Sequence, residues 1–342
     1  MKMSVRVIRM HHARPFRIAR RAEATRETEN VILELRQGEL VGLGEAAPSA
    51  YYDESVESVQ EVLPRMVEMI GEAFDPVEVS GRLAEAFPTD RSARAAVDNA
   101  LYDLAGKRAG KAVYALLGLD GSATPVTSFT IGIDRPEVMR EAAEEVCGRF
   151  KVLKVKVGLP GDIENIRAIR EVTDVPIRVD ANCGWRSVDE ALKRLDALVG
   201  FGVEFCEQPM PAGMLEASRE LHERSPIPIM ADEDIIGPED VEGLAGCVWG
   251  VNMKLAKCGG IARALEIIRR SRACGLKIMV GCMSESSVGI TAGAQVTPLV
   301  DYADLDGNLL VTDDPYEGVE VVDGKLVLPE APGLGVRVRS GR

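Results

Sequence analysis

The residues best suited to chemistry in this chain are lysines and carboxylates that recur at the ends of short apolar runs. Lys154 and Lys156 close one run, and Asp180 and Asn182 the next. Glu207 ends a third, Asp232 and Glu233 a fourth, and Lys254 a fifth, with Lys257 beyond it. Asp304 and Asp306 close the last. Members of a pair two residues apart face the same side of an extended strand. A run with Val152, Val155 and Val157 that still aligns two lysines therefore presents a polar face for use. Histidine is scarce: His11, His12 and His222 read as solvated surface residues. Acid–base work must then fall largely to Lys, Asp, Glu or Tyr.

The positions of these residues imply the elements that hold them. Eight strand-like runs cover 126–133, 152–158, 177–182, 203–209, 228–233, 250–257, 277–282 and 301–306. Amphipathic stretches lie between them, and the spacing suits one strand plus one helix. Alternation of this kind predicts an α/β fold, a (β/α)8-type TIM-like barrel, whose chemistry sits at the C-terminal strand ends. Residues 1–120 read differently, as an α+β capping domain. Antiparallel strands turn at Gln37-Gly38, and helices are expected over 55–70 and 91–110. The barrel is expected over 121–310, with 311–342 returning to the capping domain.

Asp180, Glu207 and Asp232 fall on three successive strands. Their carboxylates can converge on one hard divalent cation such as Mg²⁺. The strands of Lys156 and Lys254 are four apart in an eight-strand ring, on opposite sides of the barrel mouth. Two bases facing one carbon from opposite sides can invert it. Lys154 beside Lys156 disfavours a second positive charge, one way a lysine becomes a base near neutral pH. The cation would take up charge as a substrate carboxylate becomes an enediolate.

These residues resemble the enolase superfamily, in its muconate-lactonising subgroup. The resemblance rests on L-K-V-K-V-G at 153–158, V-D-A-N at 179–182 and E-Q-P at 207–209. M-A-D-E at 230–233 and N-M-K-L-A-K-C-G-G at 252–260 extend it over essentially the whole chain. It implies Lys156 and Lys254 as the acid/base pair, Lys154 as the neighbour of Lys156, and Asp180, Glu207 and Asp232 as Mg²⁺ ligands. Within the subgroup the chain looks most like the dipeptide epimerases, including L-Ala-D/L-Glu epimerase. There a D-x-D matching Asp304-Leu305-Asp306 holds the substrate's α-ammonium. Substrate-selecting loops would be Pro15–Glu23 and Ala47–Asp53, with Arg20, Arg21, Tyr51 and Met283 as further contacts. Arg17, Arg20 and Arg21 could meet an acidic side chain. One departure is Asp234, where the family often has Ser; it adds charge beside Asp232.

The expected activity is an isomerase, a Mg²⁺-dependent dipeptide epimerase. Near alternatives in the superfamily are N-acylamino acid racemase, o-succinylbenzoate synthase and muconate cycloisomerase, none of which needs the D-x-D. A Schiff-base lysine aldolase would not need three metal acids. A non-catalytic barrel should have lost a lysine or a ligand. The expected partner is a small-molecule dipeptide, with no nucleic acid and no membrane, and the reading allows a homo-oligomer. The net charge of −13 argues against nucleic-acid or anionic-membrane binding. The first residues show no signal-peptide core, and no stretch approaches a membrane span. Seven cysteines without a C-x-x-C pair read as reduced thiols of a cytoplasmic protein.

Overall fold

The computed structural model describes residues 1–21, 23–71 and 74–340; Ala22, Glu72, Ala73, Gly341 and Arg342 lie outside them. The chain opens with a three-stranded antiparallel sheet: β1 (Lys2–Phe16), β2 (Thr25–Gln37) and β3 (Leu40–Ala46). The β2–β3 turn uses Gly38 at φ +58°, where a side chain would be strained. Helices α1 (Val56–Glu68), α2 (Pro76–Ala86) and α3 (Arg91–Ala109) follow. The sequence reading missed α2, although Asp75 caps it and Pro76 sits in its first turn, a recognised start signal. α3 packs closely on β3. A Cβ at Gly42 or Gly44 would run into the backbone oxygen of Ala100 or Ala96, so this approach requires both glycines.

Eight parallel strands then form the expected barrel: β4 (Phe129–Ile131), β5 (Leu153–Lys156), β6 (Ile177–Asp180), β7 (Val203–Glu207), β8 (Ile229–Ala231), β9 (Gly250–Lys254), β10 (Lys277–Gly281) and β11 (Tyr302–Asp304). They are hydrogen-bonded in sequence order. A parallel bridge from Thr127 to Ala303 joins the two ends. Alternation sorts the side chains. Leu153, Val155, Ile177, Val179, Cys206, Ile229, Val251, Met253, Ile278 and Val280 join the apolar layer shared with the outer helices. The alternate residues point inward. Low in the barrel these are Phe205, Met230 and Met279. The Arg178 guanidinium lies over the rings of Phe205 and Tyr302, at 5.4 and 4.9 Å from their centroids. The lower barrel is thus a packed floor, and chemistry is left to the rim.

The last segment touches both parts of the chain. Thr312 N donates to His11 O on β1, and Leu334 N donates to Asp103 Oδ1 on α3. Thr127 N donates to Gly324 O beside the barrel. Among the described residues no helix is long and apolar enough to cross a membrane.

Candidate active site

Strand register places the rim residues at one level. Lys156 pairs with Asp180, and Asp180 with Glu207; Lys254 pairs with Gly281, and Gly281 with Asp304. Asp232 is the residue after β8. Oxygens of Asp180, Glu207 and Asp232 lie within 4.8 Å of one another, and all three residues are buried. Burial first, and then Asp180, push the Glu207 carboxyl up to about 8. Three buried acids this close need positive charge among them, and the neighbouring lysines supply part of it. The donors are hard oxygens, so the site fits a magnesium-like ion.

The lysines flank this triad. Lys156 Nζ donates to Asp180 Oδ2 at 2.7 Å, and Lys254 Nζ donates to Asp232 Oδ2 at 2.8 Å. The two lysines thus meet different acids, from strands four apart in the ring. Lys154 is not a bare like charge beside Lys156. Its Nζ lies 2.7 Å from Asp304 Oδ2, 2.8 Å from Glu207 Oε2 and 3.1 Å from Asp180 Oδ2. Burial opposes its charge, but Asp304, Glu207, Asp180 and Asp232 outweigh burial and hold its pKa well above the ordinary lysine value. Lys257 is 1 % exposed and spends its Nζ on Asp232 and on Asn252 O. It braces Asp232 instead of facing the rim.

Residues without an assigned role complete the frame. Asn252 Nδ2 donates to Glu207 Oε1 at 2.8 Å, in space left by Gly281, where a Cβ would strike the Asn252 amide. Gln208 Oε1 accepts from Asp232 N at 2.8 Å. Asp234 does not turn toward the triad; its oxygens accept from Gln208 Nε2 and Gly213 N.

Asp304 and Asp306 are both buried and both line the cavity. Asp304 accepts from Ser128 Oγ at 2.6 Å and from Lys154. Asp306 lies two residues past β11 and accepts from Thr130 N at 2.6 Å; no ion pair to it is found among the described residues. Burial and then Asp304 push its carboxyl up to about 7.

The cavity is a cleft between the rim and the N-terminal sheet. Lys154, Lys156, Lys254, Asp304, Asp306 and Met283 line it from below, and Arg20 and Arg21 from above. Arg20 pairs with buried Glu233. Tyr51 is 44 % exposed and stands outside the lining, with the Arg20 guanidinium 4.5 Å over its ring. His12 departs from the expectation of a solvated histidine. It is half-buried, stacks on Phe16 at 5.7 Å and lines the same cleft, and burial lowers its pKa. An alternating β1 strand that turns one face to the cleft explains the position. His11, the next residue, faces out to Asp313.

The comparisons agree with this architecture. Residues 2–118 match the mandelate racemase / muconate lactonizing enzyme N-terminal domain, and 137–341 match the enolase C-terminal domain-like family. A relative from Bacteroides thetaiotaomicron named L-Ala-D/L-Glu epimerase is 43 % identical over 310 residues, spanning 90 % of this chain and 81 % of that protein. A dipeptide epimerase from Cytophaga hutchinsonii, solved with Mg and D-Ala-L-Val, superposes with a TM-score of 0.92 at 31 % identity, covering 99 % of this chain and 95 % of that one. One from Enterococcus faecalis, solved with Mg and L-Leu-L-Tyr, gives 0.91 at 34 % identity, with 98 % of each chain covered. With both of its parts matched and its rim residues in one register, the chain belongs to the mandelate racemase/muconate lactonizing enzyme group of the enolase superfamily.

Proposed function

We propose that this protein is a Mg²⁺-dependent dipeptide epimerase that inverts an α-carbon next to a carboxylate by two-base proton transfer. The observation that carries the reading is the placement of Lys156 and Lys254. Each touches a different acid of one buried triad, from opposite sides of the ring. Asp180, Glu207 and Asp232 would hold the ion, which supplies Lewis-acid stabilisation of charge developing on the substrate carboxylate. Lys156 removes or returns the α-proton on one face, and Lys254 does so on the other. Asp306, which has no ion-pair partner among the described residues, receives the substrate ammonium together with Asp304, because buried charges need partners.

The second residue of the dipeptide differs among the relatives, so its class rests on this chain's own lining. Arg20 is already paired with Glu233, while Arg21 faces the cleft without an ion pair among the described residues. That cation favours an acidic side chain, as in Ala-Glu. All seven cysteines are free, which suits a reducing compartment, and on that ground we place the enzyme in the cytoplasm. A dipeptide library screened for α-deuterium uptake in D₂O tests the reading. Exchange should be fastest with Ala-Glu, and Arg21→Met should remove the preference for acidic side chains. No exchange into any dipeptide would refute the activity.

A further inference from the structure

We infer that Gln208 is the positioning residue that holds the three metal-ligand strand ends in one frame, and that Asp234 fixes its orientation. The inference rests on the metal site proposed above. Gln208 follows Glu207 directly and sits at φ +35°, a left-handed backbone seldom used by residues other than glycine. Such strain persists only where surrounding contacts over-determine it, and here they do. Gln208 O accepts from Cys183 N at 2.9 Å, reaching the loop that follows Asp180. Gln208 N donates to Met230 O at 2.8 Å, two residues before Asp232. Its side chain then grips the Asp232 backbone itself, through Oε1 at 2.8 Å. One residue thus contacts the segments that carry Asp180, Glu207 and Asp232.

The amide must point one way for this to work. Oε1 also accepts from Asp234 N at 3.3 Å, while Nε2 donates to Met210 O at 2.9 Å and to Asp234 Oδ2 at 2.8 Å. Reversing the amide would set its NH₂ against two backbone donors and its oxygen against two acceptors. Asp234 secures the correct orientation and also accepts from Gly213 N at 2.6 Å through its other oxygen. A carboxylate makes both bonds with separate oxygens, which a single serine hydroxyl oxygen cannot. The acid at 234 therefore acts on the ion through Gln208 and not as a nearby charge.

Calorimetric titration of Mg²⁺ into chelator-treated protein tests this without relying on turnover. Asp234→Ala should weaken Mg²⁺ binding about tenfold, the usual range for a partner that orients a metal ligand. Asp234→Asn keeps an acceptor for Gln208 Nε2 but removes the charge, and should retain most of the affinity. Gln208→Leu should weaken binding at least as much as Asp234→Ala. Adding Asp234→Ala to Gln208→Leu should then change nothing further, since residues acting as one unit are not additive. Turnover of Asp234→Ala should recover at saturating Mg²⁺. Unchanged Mg²⁺ affinity in Asp234→Ala, even with a lower metal-free Tm, overturns the inference. So do equal losses for Ala and Asn, or losses that add in the double variant. If the wild-type protein takes up no Mg²⁺, the metal reading falls and this inference with it.

Discussion

Lys154 and Asp304 meet at 2.7 Å across the closing side of the barrel, which leaves Asp306 as the acid of the pair with no ion-pair partner among the described residues. The two aspartates therefore divide the work. Asp304 balances the buried lysine, and on the reading proposed above Asp306 supplies the uncompensated charge that the substrate ammonium meets beside Asp304.

A free dipeptide should accordingly be a far better substrate than its N-acetyl form. The loss on acetylation should be on the order of 2–5 kcal/mol in kcat/KM, from leaving buried charge unpaired. Asp306→Asn should erase most of that discrimination and leave Mg²⁺ binding intact. Equal kcat/KM for free and acetylated substrates in the wild-type enzyme would remove the ammonium site and favour an N-acylamino acid racemase.

Metal removal follows from the triad. Chelation should lower turnover on the order of 100-fold or more, the several kcal/mol that a Lewis acid supplies, and Mg²⁺ should restore it. Mg²⁺ should also raise Tm, because it binds the folded chain preferentially. Full activity in metal-free protein would sink the assignment.

The rim was legible in the sequence because a strand's period of two is strict. Lys154 and Lys156, Asp180, Glu207 and Lys254 all declare their side by following an apolar Leu, Val, Cys or Met that faces the other way. The barrel followed from a different pattern, eight strand-like runs separated by amphipathic stretches. Contacts between distant segments were not legible. Nothing near Arg20 foretells Glu233, 213 residues away, and nothing near Lys154 foretells Asp304. Asp234 read as added charge beside the metal. Only the fold shows that it turns to Gln208 and Gly213.

A pH dependence of stability follows from Glu45 and Glu285, both buried where the N-terminal sheet meets the loop after β10. Glu45 accepts from Asn30 Nδ2, Ser286 N, Ser286 Oγ and Gly289 N. Burial, and then the charge of Glu45, push Glu285 from 4.5 up to about 8. The folded chain therefore holds this proton more tightly than the unfolded chain. That stabilisation is full below about 4.5 and is lost as pH rises through about 8. Glu285→Gln should flatten the fall of Tm across that window. An identical slope in the variant would assign the dependence to other groups.

The most direct test of two-base epimerisation is α-deuterium incorporation in D₂O, measured separately from each epimer with Lys156→Ala and Lys254→Ala. Both variants should lose net epimerisation by at least about 10³-fold, within the range that a positioned acid or base supplies. Each should still exchange deuterium into one epimer, and the epimer that exchanges should differ between the two variants. If either variant interconverts both epimers at the wild-type rate, or both exchange the same epimer, lysines on opposite faces do not perform the reaction.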